Sequence, residues 1–288
     1  MNVGFYFAGG GGAAEYSEHY QPNQSVCFLA ADCNLHRDGL DWLCYHDDQK
    51  KEEESEKRHN IKVLVINMEE VTPVNPNDLK DLKERMNLIS QADPKQYHND
   101  FSLKRYLRAF KTVDEAFQAI LKTNKWREQY GVEALENNTS LEQYKDKARV
   151  LRHRDCIGRP VIYIPAKNHN SERDIDELTK FIVKCLEEAC KKCFEEVTDR
   201  LCIVFDLAEF NMNCLDMQLV KNLIWLLSRH YPERLGVCLI INSPGLFSTV
   251  WPLIRQLIDD NTAKKVVFVN DETELCKYLI PDILPTDM

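Results

Sequence analysis

The chain has 288 residues, of which 44% are hydrophobic and 29% charged, and its formal net charge is −9. This apolar content suffices for the core of one large or two modest domains, and the acidic balance argues against a broad nucleic-acid-binding surface. The longest uninterrupted apolar stretch, Val26 to Ala31, is far shorter than the roughly 20 residues that span a bilayer. We therefore expect a globular protein without a transmembrane helix, and a cytoplasmic one because no secretory signal is recognisable.

The first 77 residues differ in composition from the rest of the chain. They contain four consecutive glycines at Gly9–Gly12 and a charged run at Lys50–Arg58, which are typical of a tail and a hydrophilic linker. The segment Ile61–Ile66 is strand-like and could extend the edge of a sheet. We predict that residues 1–77 form a variable or partly disordered extension.

Residues 78–150 show the apolar spacing of helices. One helix is expected to begin after Thr112, which with Glu115 resembles a capping box, and to end at Gly131. The other helices are predicted at Asn77–Gln91, Asp100–Phe110 and Ser140–Ala148. The segment as a whole predicts a small helical domain.

Residues 151–288 alternate between predicted strands and helices, an order that implies a parallel sheet. Two of the strands are apolar on both alternating faces, as expected of strands that are covered on both sides. The predicted strands are Pro160–Pro165, Leu201–Phe205, Gly236–Ile241 and Lys265–Val269. The predicted helices are Ile175–Val197, Leu215–Arg229, Leu246–Asp259 and Asp271–Leu279.

Motifs for catalysis or metal binding are weak. Gly9, Gly11 and Ala14 match a dinucleotide-binding fingerprint but lack its flanking strand and helix. The Cys190–Cys193 pair lies in a predicted helix without a second pair at zinc spacing, which favours packing. The irregularly spaced residues Cys27, Cys33, His36, Cys44 and His46 form the only loose Cys/His cluster in the sequence. The eleven cysteines are expected to be reduced, and we predict no metal, no cofactor and no enzymatic activity.

The segment Leu246–Asp259 is apolar almost all round. It is either a core helix or a helix that covers a cavity for an apolar ligand and can touch a membrane. Its apolar positions include Leu246, Phe247, Val250, Trp251, Ile254 and Leu257.

Several separate motifs resemble the CRAL-TRIO lipid-binding family, in the family's order and over about residues 78–287. They are Leu103–Ala109 with Val113–Ala116, Asp155–Val161, Ile203–Leu207, His230–Gly236 with Leu239–Pro244, and Asp282–Pro285. The resemblance implies a small helical domain followed by an α/β domain at residues 151–288. In that α/β domain a mostly parallel sheet would floor an apolar lipid pocket, and a mobile gate helix, here Leu246–Asp259, would close it.

The same resemblance implies which residues meet the lipid. Arg108 and Arg255 would approach the headgroup. By strand and helix placement, the pocket would be lined by Ile162, Ile164, Ile203, Phe205, Val220, Leu223, Ile224, Leu239 and Ile241. The partners would be one lipid and, transiently, a membrane surface, and no nucleic acid.

The sequence departs from the family's two headgroup patterns at three positions. Asn222 stands where phosphatidylinositol transfer proteins carry an acidic partner of the gate cation. Leu201 and Ile203 stand where a hydroxyl pair would face the phosphate of phosphatidylcholine. Because apolar groups remove that phosphate's hydrogen-bond partners, we expect a phosphoinositide or a less polar lipid. The predicted function is non-enzymatic lipid binding and intermembrane transfer, with a membrane or protein docking scaffold as the alternative.

Overall fold

The computed structural model describes residues 72–169 and 174–285. The predicted N-terminal features, namely the glycine run, the charged run, the strand-like segment and the Cys/His cluster, lie outside the described residues. The domain boundaries after residues 77 and 150 stay predictions.

The described chain begins with three helices around a small core of their own. They are α1 (Pro76–Ala92), α2 (Asp100–Ala109) and α3 (Val113–Tyr130). Each starts after a residue whose side-chain oxygen accepts a first-turn backbone N–H, these residues being Asn75, Asn99 and Thr112. Gly131 ends α3 in a left-handed conformation at φ 70°. The buried core residues are Leu82, Met86, Leu103, Tyr106, Ala116 and Ile120.

A five-stranded sheet follows, in the order β1-β2-β3-β4-β5. Its strands are β1 (Arg149–Arg154), β2 (Pro160–Pro165), β3 (Leu201–Asp206), β4 (Leu235–Ile241) and β5 (Val266–Phe268). Only the β1–β2 pair is antiparallel. The helices between and after the strands are α4 (Ile175–Lys191), α5 (Met217–His230), α6 (Phe247–Arg255), α7 (Asp260–Lys264) and α8 (Glu272–Leu275). The predicted α/β architecture with a mostly parallel sheet is therefore confirmed.

The residues before β2 differ from the sequence expectation. Where a helix was predicted over 140–148, two 3₁₀ turns stand at Val132–Asn137 and Thr139–Tyr144, and β1 follows. Only Leu151 of β1 is buried, and Arg152, His153 and Arg154 are exposed. An edge strand of this composition has no apolar alternation to reveal it.

Three helices are shorter than predicted. The segment after α4 turns away at Lys192, and α8 covers only four residues. Helix α6 ends at Arg255, and Asp259 begins a separate helix by accepting the N–H groups of Asn261 and Thr262. Leu246 and Leu257 consequently flank α6 instead of lying within it.

The sheet has two faces with different coverings. The back face consists of residues such as Val161, Cys202, Val204 and Val237, packed against Leu275 and its neighbours. The front face lies beneath α4, α5 and α6 and, by register, is formed by Ile162, Ile164, Ile203, Phe205, Cys238 and Ile240.

Candidate functional site

The candidate lipid-binding site is the front face above β3. This strand is the middle one of five, yet Ile203 and Phe205 on its front face are only partly buried. On its back face, Cys202 and Val204 are fully buried at 0% exposure. Because protein interiors are close-packed, partial exposure at the centre of a sheet marks a place where the covering layer is incomplete.

Helix α5 covers part of this area. Leu219 and Leu226 are buried against the core, while Val220, Leu223 and Ile224 are partly exposed. The three predicted wall positions on this helix therefore share partial exposure with Ile203 and Phe205.

Helix α6, the predicted gate, is held by few side chains. Phe247 and Val250 are buried against the front face of β4, and the Trp251 ring meets Phe268 edge-to-face with centroids 5.2 Å apart. Ile254 packs beside them. Leu253 points outward with 52% exposure.

Two predicted pocket residues do not belong to this face. Side chains alternate along a strand, and the register pairs Ile203 with Cys238 and Phe205 with Ile240. Leu239 and Ile241 therefore lie on the back face, within its core. The prediction of these two residues as pocket lining was wrong, because the sequence does not fix how β4 aligns with β3.

Arg108 lies in a buried ionic cluster at the amino end of β3. Its guanidinium is 3.5 Å from the Asp199 carboxylate, which also binds Arg105 at 3.0 Å. The Nε of Arg108 is buried without a hydrogen-bond partner in the described chain, and burial lowers the pKa of this guanidinium. This N–H is sealed from solvent in the structure, so it can bind a phosphate oxygen only after the surrounding cluster opens.

Arg255 is engaged by the turn that follows α6. Its Nη1 donates to the Ile258 carbonyl at 3.1 Å, and its Nη2 contacts Asp260. Among the described residues, Arg108 and Arg255 thus have no common partner. Asn222, at the position of the missing acidic residue, accepts a hydrogen bond from Gln218 at 2.8 Å.

Polar contacts at the carboxyl ends of the strands were missed by sequence reasoning. Asn242, which links β4 to the segment before α6, has a positive φ of 52°. Its Nδ2 donates to Asp206 at 2.9 Å, and Tyr163 donates to the same carboxylate at 2.5 Å. An Asn before Ser-Pro is a turn signal, and it is the one feature of the sequence that could have drawn attention to this point.

Two surface grooves between helices were also not foreseen. The first, of about 420 Å³, lies between α3, α4 and α5, and we call it the aromatic groove. Its lining includes Trp126, Tyr130, Asp176, Lys180, Asn222 and Trp225. The second, of about 590 Å³, lies between α3 and the end of α5, beside Arg229 and His230. Neither groove is lined by a predicted pocket residue.

The remaining cysteine prediction can be placed in the structure. Burial raises the pKa of the Cys190 thiol to about 11 and also raises that of Cys193, so both favour the unreactive thiol form.

Across residues 72–169 and 174–285, no group of three potential metal-ligating side chains occurs. Within the same ranges, no helix combines the length and apolar character needed to cross a bilayer.

Comparison with known proteins agrees with this architecture. Residues 144–288 match the model of the CRAL/TRIO domain. The chain belongs to the CRAL/TRIO domain family.

Three relatives show how similar the chain is to individual members of the family. The chain is 32% identical over 197 residues to a CRAL-TRIO domain-containing protein of Schizosaccharomyces pombe, an alignment that covers 64% of this chain and 44% of the relative. It is 24% identical to phosphatidylinositol transfer protein CSR1 of Eremothecium gossypii, over 74% of this chain and 54% of that protein. It is 26% identical to the SEC14 cytosolic factor of Candida glabrata, over 75% of this chain and 79% of that protein. The chain spans about half the length of the first two of these relatives.

A solved structure shows the same fold. The crystal structure of Sfh5 superposes with a TM-score of 0.58 over 71% of this chain and 84% of that chain, at 16% sequence identity.

Proposed function

We propose that this chain binds one hydrophobic lipid on the front face of the sheet and carries it between membranes, without catalysing a reaction. The observation that carries the proposal is the partial exposure of Ile203 and Phe205 at the centre of the sheet. Burying an acyl chain there is favourable by about 0.8 kcal/mol per CH₂ group. The apolar side chains of α5 that border this area supply the walls.

Helix α6 is proposed as the gate of this site. A gate must detach at a cost that lipid and membrane contacts can offset, and of its nine residues only Phe247 and Val250 are buried. The exposed side chains of Leu246 and Leu253 provide apolar contact with a bilayer. The protein would thus be a cytoplasmic one that visits membrane surfaces.

Arg108 is the proposed headgroup contact, and a phosphoinositide is the ligand that its chemistry favours. The buried Nε offers one charge-assisted hydrogen bond that no described residue takes up. The name of the relative CSR1 describes a phosphatidylinositol transfer protein, which is consistent with such a ligand. Arg255 would join the headgroup only after leaving Asp260, which requires the gate turn to open.

The test is native mass spectrometry of the full chain, followed by extraction and identification of bound lipid. Ile203→Trp should fill the space above β3 and abolish lipid loading from mixed liposomes. Leu88→Trp is the matched control, because Leu88 is 72% exposed on α1 and its enlargement should leave loading unchanged.

Equal loading of the two folded variants would exclude this site. Absence of lipid from the wild-type chain, before and after incubation with liposomes, would favour the docking scaffold instead.

A further inference from the structure

The aromatic groove is a surface feature that the proposed lipid site does not use. Three aromatic side chains, Trp126, Tyr130 and Trp225, line its volume of about 420 Å³. The rings of Trp126 and Tyr130 stack with centroids 5.1 Å apart, and the Trp126 ring also stacks with the His230 ring, with centroids 4.1 Å apart. This stacking fixes the wall of the groove that α3 supplies.

Trp225 supplies the accessible ring. It is 52% exposed, and the Arg229 guanidinium already lies over it, 4.8 Å from the ring centroid. Arg229 lines the neighbouring groove and not the aromatic groove, so this cation leaves the groove side of Trp225 available. This contact shows that a cation already packs against the Trp225 ring.

The groove also contains a carboxylate without a direct partner in the described chain. The Asp176 side chain is exposed, and no described residue donates a hydrogen bond to it or forms an ion pair with it. The other charged group at the lining, the Lys180 ammonium, makes its direct ion pair with Glu177, at 2.7 Å. Among the described residues, the Asp176 carboxylate is therefore open to a cationic ligand.

The charge of Asp176 also affects the pKa of Tyr130, which lines the groove. Burial, followed by the negative charges of Asp176 and Glu177, raises the pKa of Tyr130 to about 12. Burial disfavours any charge at Tyr130, whereas the two carboxylates specifically disfavour a further negative charge there and favour a positive one nearby.

We propose that the aromatic groove binds a trimethylammonium group, the cation of choline and its esters. A quaternary ammonium is weakly hydrated and has no N–H groups to satisfy, so aromatic faces and one nearby carboxylate are sufficient to hold it. Asn222 and Tyr130 also line the groove, and the Asn222 amide nitrogen and the Tyr130 hydroxyl donate no hydrogen bond within the described residues, so both can donate to the oxygen of such a ligand.

Isothermal titration of the full chain with choline tests the proposal. The control ligand is 3,3-dimethyl-1-butanol, which has the shape of choline but no charge, and it should bind at least about tenfold more weakly. Asp176→Asn and Trp225→Leu should each weaken choline binding by about fivefold or more. Glu128→Gln is the matched control, since it removes an exposed carboxylate of α3 that does not line the groove.

Comparing glycerophosphocholine with choline distinguishes a phospholipid headgroup from a free quaternary amine as the source of the trimethylammonium group. Tighter binding of glycerophosphocholine than of choline would identify a phospholipid headgroup as the ligand, and the reverse order would identify a free quaternary amine. Equal affinity for choline and its uncharged analogue would overturn the proposal. An equal effect of Asp176→Asn and Glu128→Gln would also overturn it, as would the absence of choline binding at about 10 mM. Lipid loading of the front face in Asp176→Asn should equal that of wild type, so failure here is distinguishable from failure of the proposed lipid site.

Discussion

Asn242 Nδ2 donates a hydrogen bond to Asp206 Oδ1 at 2.9 Å and so joins the carboxyl ends of β3 and β4. The Asn242 backbone adopts a left-handed conformation with φ 52°, a region that asparagine enters more easily than most residues. The segment that leads into α6 starts at this residue. A side-chain contact and a strained backbone therefore coincide where the proposed gate must hinge.

Replacing Asn242 separates the two effects. Asn242→Gly removes the hydrogen bond but relieves the backbone, and it should accelerate lipid exchange between vesicles without a large loss of stability. Asn242→Ala removes the bond and keeps the strain, and it should lower the free energy of unfolding by about 1 kcal/mol more than the glycine variant. Fluorescent-lipid transfer and chemical denaturation measure the two quantities. Wild-type exchange rates in both variants would show that this hydrogen bond does not restrain the gate.

Arg108→Lys tests the headgroup assignment while keeping the charge beside Asp199. Lysine retains a cation for the carboxylate but has no Nε–H at the position of the guanidinium. We expect phosphatidylinositol loading to fall by about tenfold, the equivalent of one charge-assisted hydrogen bond, and loading of an uncharged lipid to stay unchanged. Loading measured by native mass spectrometry should show this selectivity. A parallel loss for both lipids would assign Arg108 a purely structural role in the ionic cluster.

Leu253→Asp tests membrane contact by α6. Leu253 is the appropriate residue because it is exposed, whereas Trp251 packs against Phe268 and its replacement would disturb the fold. A charge on the side of the helix that we propose faces the membrane should reduce partitioning onto liposomes by about tenfold or more, as measured by co-sedimentation. Leu88→Asp, equally a loss of an exposed leucine but on α1, should not reduce it. Equal partitioning of the two variants would place the membrane contact elsewhere.

The sequence predicted strands β2 to β5 and the main helices between them, because apolar periodicity is a local property, but not the polar edge strand β1. It could not predict the register of β4 against β3, and an alternation that is correct within each strand still placed Leu239 and Ile241 on the wrong face. Nor could the sequence predict the ion-pair partners of the two arginines. Arg108 and Arg255 were identified by their positions in motifs. In the fold, Arg108 pairs with Asp199 and Arg255 pairs with Asp260. The aromatic groove escaped notice because its residues come from three helices, and only tertiary packing brings Trp126 and Trp225 together.

His230 lies between the helical part and the α/β part and should make the fold sensitive to acid. Its ring stacks on Trp126, and burial, followed by the charge of Arg229, lowers its pKa from 6.5 to about 4. Below pH 6.5 the unfolded chain binds a proton at this residue that the native state does not bind until about pH 4. The associated stability is therefore present above pH 6.5 and is lost as the pH falls toward 4. His230→Phe should flatten the decline of Tm across this window, whereas His153→Gln, at an exposed residue of β1, should leave the wild-type decline in place. If the two variants lose stability with the same slope, His230 is not the group that couples protonation to unfolding.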